Sequence, residues 1–252
     1  MHHLISTDEP MREPLLVYLT GPAGSGKTFV IRGIVEIYNG FSDTDGIFNA
    51  YIACAPTGKA ATAIGGSTVH NALSISLSRL MPLTIEKAHQ YRTLFKFVKV
   101  IIIDEVNMVS AELLEIIDIR LKQITDLFTK YFGGLNIILI RDLWQLPPVW
   151  ATPIFKQIKK IGETPWRKFK KIELHQVMRQ EDNQFVKILT KIGNGNIPTK
   201  EELQVIESRF ITKEEARIAC PEGIRLVFTS DVFDGCHNIE QENFVRQKLQ
   251  KK

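Results

Sequence analysis

The sequence predicts an α/β fold: a doubly wound parallel sheet with its working groups at the carboxyl ends of the strands. Three observations predict it. Short runs of strand formers alternate with segments of helical period along the first 150 residues. The run KVIII at 99–103 is continuously apolar rather than alternating, as expected of a strand covered on both faces, and LNIILI at 135–140 reads as another buried strand. A glycine-rich turn follows one strand and an acidic pair ends another, and strand ends of this kind are where open α/β sheets bind ligands.

Residues 1–14 are polar with two prolines and read as a lead-in segment. LLVYLT at 15–20 is the first strand. Val30, Ile31, Ile34, Val35 and Tyr38 then recur at helical spacing across 27–38. A polar turn at 39–45 leads to a strand at 51–55, and the small residues and glycines of 57–73 suggest a loop running into a helix. Residues 74–96 have no clean period and are assigned to a small insertion. After the strand at 99–103, Ser110 is a good helix N-cap for the apolar face Leu113, Leu114, Ile117, Leu121 and Ile124. The first domain is expected to cover 15–150. Residues 151–252 look like part of another α/β unit, with a helix near 183–193, a strand at 225–230 and a terminal helix.

With 252 residues, 44% of them apolar, the chain can bury the core of one large or two modest domains. A net charge of +4 is compatible with a polyanionic partner but too mild to name one. Cys54, Cys220 and Cys236 are far apart and lack histidines at ligand spacing, which argues against a disulfide framework or a structural zinc and fits a reducing compartment. The first residues lack the apolar centre of a signal peptide and no run reaches membrane-spanning length, so a soluble intracellular protein is expected.

The chemistry is concentrated in two strings. Gly21-Pro22-Ala23-Gly24-Ser25-Gly26-Lys27-Thr28 fits G-x-x-x-x-G-K-[ST] in full and sits between a strand and a helix. Its glycines let backbone N–H groups turn inward around phosphates, and Lys27 supplies charge to the β and γ groups. The Thr28 hydroxyl can ligate Mg2+, and the helix that follows points its positive end at the anion. Asp104, at the tip of a buried strand, is placed to hold the same ion. Glu105 is placed as the base that orients or deprotonates the attacking water. Together they predict hydrolysis of a nucleoside triphosphate.

Six strings stand in one order: GPAGSGKT, APTGKAA (55–61), GGSTVHNAL (65–73), IIIDEVNMVS (101–110), GGLNIILIRDLWQLPPV (133–149) and LHQVMRQEDNQF (174–185). This order resembles the petite-integration-frequency family of DNA helicases, superfamily one motors related to RecD-type and Helitron transposon helicases, over about residues 15–196. The resemblance implies a RecA-like phosphate-loop domain followed by an incomplete second RecA-like domain. It also implies 5′ to 3′ unwinding of DNA driven by ATP and Mg2+, with single-stranded DNA and duplex junctions as partners. The roles implied are repair, recombination, and telomere and genome maintenance, in the nucleus or alternatively the mitochondrion. Gln145 would sense the γ-phosphate, and Arg179 would be an arginine finger worth roughly a thousandfold in turnover. Thr57, Gly58 and Lys59 match a loop that touches the single-strand backbone, and Thr68 and His70 match a second DNA contact.

Taken alone, Thr57 and Lys59 suit phosphate contacts that carry no sequence information, and His70 suits either base stacking or a satisfied interior position. The cation-rich stretch 156–171 reads either as a DNA-binding face or, preferably, as a solvated basic face with Trp166 and Phe169 directed to the core. Three departures from the family pattern stand out. No glutamine precedes the phosphate loop, Arg141 replaces a glycine of the third motif, and the chain ends at Lys252 before the later motifs. The last departure suggests a partial chain with apolar surface exposed beyond residue 150. Two alternatives follow from other classes. One is a truncated or transposon-derived fragment that binds ATP and single-stranded DNA with little turnover; the other is a free-standing phosphate-loop NTPase or small-molecule kinase.

Overall fold

The computed structural model describes residues 13–41, 49–76, 82–143, 148, 150–156, 163–178, 182–193 and 195–220. The chain divides into two compact units, 1–197 and 198–252. In the first unit the described elements are β1 (Leu16–Thr20), α1 (Lys27–Asn39), β2 (Tyr51–Ala55), α2 (Gly58–Ala63), β3 (Ser67–Thr68) and α3 (Val69–Ala72). They continue with α4 (Ile85–Phe95), β4 (Val100–Ile103), α5 (Ala111–Thr125), β5 (Asn136–Ile140), β6 (Lys170–Glu173) and α6 (Asn183–Gly193).

The six strands form one sheet in the order β3-β2-β4-β5-β1-β6, and every pairing is parallel. β4 and β5 lie centrally, which is why their sequences need no polar face: Ile101, Ile102, Ile103, Ile137 and Leu139 are fully buried. Each such side chain contributes about 1.5–3 kcal/mol through burial. Alternate residues serve the two faces. Ile101, Ile103, Ile137 and Leu139 pack with α5 through Leu114, Ile117, Leu121 and Ile124. Val100, Ile102, Ile138 and Ile140 pack with Ile31 of α1 on the other. The predicted cap holds: the Ser110 hydroxyl accepts the Leu113 N–H at 3.1 Å, an interaction worth about 1 kcal/mol.

The boundary expected near residue 150 falls inside this unit. Val17 to Thr20 of β1 pair in register with residues 170 to 173 of β6, and Ile154 is buried in the core beside α5. Trp166 packs 5.0 Å from the Tyr18 ring, and Phe169 lies 5.6 Å from Phe132, so both aromatics face the core as expected. The cations around them sit in local ion pairs, Lys168 with Glu163 and Lys171 with Glu173. The unreadable stretch contains a helix, α4, opened by the Thr84 hydroxyl accepting the Lys87 N–H. The helix near 183–193 is present, with Asp182 accepting the N–H groups of Gln184 and Phe185.

In the second unit, α7 (Lys200–Glu207) and α8 (Lys213–Ala219) each open on a reciprocal capping box, Thr199 with Glu202 and Thr212 with Glu215. Phe210, Ile211 and Ile218 of that unit are exposed. The strand expected at 225–230 and the terminal helix lie outside the described residues. Cys54 is buried, its thiol pushed up to about 12 by burial, while Cys220 is exposed. Among the described residues no helix is long and apolar enough to cross a membrane.

Gly66 lies where β3 begins, and a side chain there would run into the Ala53 carbonyl of neighbouring β2. Gly66→Ala is expected to destabilise the chain by about 1–3 kcal/mol, read as a lower denaturation midpoint.

Candidate active site

Because all pairings are parallel, six strands deliver their carboxyl ends to one edge of the sheet. The phosphate-loop segment follows β1, Thr57 follows β2, Thr68 ends β3, Asp104 follows β4, Arg141 follows β5 and Leu174 follows β6. The strand order spreads these groups along the edge. Thr57 and Thr68 lie at the β3–β2 end, and the glycine-rich loop lies between β5 and β6 at the other.

The loop is shaped by backbone angles that glycine tolerates. Gly21, Gly24 and Gly26 have φ of 152°, 81° and 85°. A Cβ on Gly21 would stand 2.6 Å from the Leu174 carbonyl oxygen and 2.7 Å from Ser25 Oγ, so the approach of β6's exit segment also requires glycine there. That segment is fastened to the loop, with the Leu174 N–H donating to Thr20 O at 2.9 Å and the Met178 N–H to Gly24 O at 2.8 Å. α1 starts at Lys27 with no side-chain cap on its first N–H groups, which leaves its amino end suited to an anion. The buried Lys27 ammonium donates to the carbonyls of Gly21 at 2.6 Å and Pro22 at 2.9 Å, inside the turn. A cleft of about 250 Å³ opens over Ala23, Gly24, Ser25, Gly26, Lys27 and Thr28, with Arg141 and Met178 as its remaining walls. Its size suits a phosphate chain rather than a whole enclosed ligand.

The acidic pair ends β4. Asp104 is buried; its N–H donates to Cys54 O at 3.0 Å and its Oδ1 accepts the Glu105 N–H at 2.8 Å. Glu105 adopts left-handed backbone angles, φ 54° and ψ 38°, a conformation costing about 1–3 kcal/mol in a residue with a side chain and concentrated at functional sites. Its carboxylate accepts from Arg141 Nε at 2.7 Å. Burial pushes the Glu105 carboxyl above the usual carboxylate range; Arg141 and Lys27 pull it back, and the Asp104 charge adds to the rise. The action of Lys27 and Asp104 on one carboxyl, with Arg141 spanning Glu105 and the cleft, brings loop and acidic pair into one site.

Of the residues singled out in the sequence, those of the loop and the pair Asp104 and Glu105 are thus assembled. Gln145 and Arg179 lie outside the described residues. Thr57, Gly58, Lys59, Thr68 and His70 gather at the far end of the same edge. Both threonines also have local work, Thr57 Oγ1 accepting the Ala60 N–H and Thr68 Oγ1 the Asn71 N–H. Gly58 and Lys59 are exposed. His70 is half-buried, and burial lowers its imidazole below the ordinary value, so it is neutral at pH 7. Sequence reasoning missed Met178 as a wall and Arg141 as the partner of Glu105; only the departure from glycine at position 141 signalled the latter.

A parallel sheet with the strand order above, a glycine-lysine loop after β1 and an acidic strand end two strands away define a RecA-like phosphate-loop domain. Residues 3–203 match the family model described as PIF1-like helicase, and the chain belongs to that family. It is 32% identical over 191 residues to the ATP-dependent DNA helicase RRM3 of Saccharomyces cerevisiae, covering 72% of this chain and 25% of that protein. Pif1 helicase from Candida albicans superposes with a TM-score of 0.67 at 26% identity, over 90% of this chain and 50% of that one. Pif1 helicase from Bacteroides, in complex with ADP-AlF3 and single-stranded DNA, superposes with a TM-score of 0.61 at 28% identity, over 81% and 48%. The chain therefore spans about a quarter of the length of that curated relative and half that of the solved chains.

Proposed function

We propose that this chain carries the nucleotide-hydrolysing part of a 5′ to 3′ ATP-dependent DNA helicase. The observation that supports this most is the joining of the Lys27 loop and the Glu105 carboxylate in one cleft through Arg141. The polyphosphate lies along the N–H groups of 23–28, with Lys27 turning from the carbonyls of Gly21 and Pro22 to the β and γ groups. Thr28 and Asp104 are hard oxygen donors, the set Mg2+ takes when substrate phosphates and water complete its shell. Among the described residues no cluster of three or more His, Cys, Asp or Glu side chains could hold a metal without such phosphates. An Mg2+ ion held by Thr28 and Asp104 would supply charge neutralisation to the phosphates. Glu105 accepts a proton from the water that attacks the γ-phosphorus, the bond to the β-phosphate oxygen breaks, and ADP leaves.

Gln145 and Arg179 are assigned to γ-phosphate sensing and to the arginine finger on the strength of family membership. The attachment of Met178 to Gly24 supports the second. Thr57, Gly58, Lys59, Thr68 and His70 form the single-strand contact, with His70 neutral and able to stack on a base. The exposed Phe210, Ile211 and Ile218 of the second unit support reading the later part of the chain as belonging to a second motor domain. Duplex junctions are the substrate, genome maintenance the setting, and the nucleus the first expected location, with the mitochondrion second.

Phosphate release by the 252-residue chain, measured with and without single-stranded DNA, tests this. Several-fold stimulation by DNA is expected. A chain that binds ATP and hydrolyses it at one rate regardless of DNA would contradict the coupling and favour a nucleotide-binding fragment. DNA binding itself should fall with salt at a log–log slope of about 0.7 per phosphate contacted.

A further inference from the structure

Arg141 occupies a backbone conformation, φ 154°, that residues with side chains rarely adopt. Both its main-chain groups are held: its N–H donates to Leu19 O at 3.1 Å, and its carbonyl accepts the Tyr18 hydroxyl at 3.0 Å. Tyr18 is fixed in turn against Trp166. Movement at this position is therefore confined to the side chain. That side chain reaches the base, Nε to Glu105 Oε2 at 2.7 Å, and also lines the cleft with the loop residues 23–28. The paired side chains are 30% and 21% exposed, so water screens their attraction less than it does a surface pair. A carboxylate whose oxygen is engaged by a guanidinium is a poor acceptor for a proton from water.

A triphosphate entering the cleft brings several negative charges and a set of oxygens that match the guanidinium fork better than one carboxylate does. Resting on the nucleotide site proposed above, we propose that Arg141 is a two-position sensor of the terminal phosphate. It holds Glu105 while the cleft contains no triphosphate and transfers to the γ-phosphate oxygens when one binds. That transfer frees the carboxylate to act on water. ADP has no γ-phosphate to draw the guanidinium away, so after hydrolysis the base is latched again. Arg141 thereby couples the identity of the nucleotide to the availability of the base within a single domain.

The test is equilibrium binding of ADP and of a non-hydrolysable triphosphate analogue, both with Mg2+. It uses the wild-type chain and its Arg141→Gly, Arg141→Lys, Glu105→Gln and Arg141→Gly/Glu105→Gln variants. Glycine suits φ 154°, so Arg141→Gly should fold. Its preference for triphosphate over diphosphate is expected to fall about tenfold, with ADP affinity held within about twofold of wild type and Arg141→Lys keeping part of the preference. Glu105→Gln should bind the triphosphate more tightly than wild type, since the guanidinium has no carboxylate to leave, and the double variant should lose that gain. An unchanged preference in Arg141→Gly, or equal weakening of both nucleotides as a purely structural role would give, overturns the sensor. Failure of the wild-type chain to bind either nucleotide overturns the site itself.

Discussion

Lys27→Ala is expected to lower ATP hydrolysis by about a thousandfold and to weaken nucleotide binding as well. The ammonium is the buried positive charge of the loop, and positioned charges at developing phosphate negativity are worth roughly 10²–10³ or more in turnover. Alanine also removes the donor to the carbonyls of Gly21 and Pro22; Pro22 O keeps the Ser25 N–H at 3.2 Å, but Gly21 O loses the ammonium, so the loop is held less firmly in its phosphate-ready shape. Steady-state phosphate release and ADP titration measure the two effects. A variant with wild-type turnover would remove Lys27 from the mechanism.

Glu105→Gln separates binding from chemistry. The amide has the same shape but gives up the charged hold on Arg141, and the bond from Asp104 Oδ1 to the residue 105 N–H does not involve the replaced side chain. It cannot take a proton, and losing a positioned general base costs about 10²–10⁴ in rate. Turnover should fall within that range while nucleotide binding is kept, the triphosphate being held more tightly than in wild type. Equal rates in the variant and the wild type would show that another group activates the water.

The central fold was legible because its strands are buried on both faces. KVIII and NIILI become β4 and β5 with almost no adjustment, and Ser110 marks the start of α5 by chemistry that acts over three residues. β6 was not legible. Lys170, Lys171, Ile172 and Glu173 are all exposed on the sheet's edge, where charge is tolerated and guards against further pairing, and what makes them a strand is hydrogen bonding to β1. α4 escaped for a related reason, since of its residues only Phe95 is buried and no apolar stripe develops.

The site divides the same way. The loop and the acidic pair were readable because their chemistry is written in consecutive residues. The ion pair between Arg141 and Glu105 was not, because it depends on β4 and β5 being neighbours and on a backbone angle at residue 141 that the side chain's identity argues against. Thr57 and Thr68 show the opposite hazard: polar residues in a recognisable motif that also cap the short helices they precede.

The most direct test is a crystal structure of the chain with a non-hydrolysable ATP analogue and Mg2+. The account predicts phosphates along the N–H groups of residues 23–28, the metal ion between the Thr28 hydroxyl and Asp104, and Glu105 facing the γ-phosphorus. A nucleotide seated away from Lys27, or a metal ion bound without Asp104, would contradict it.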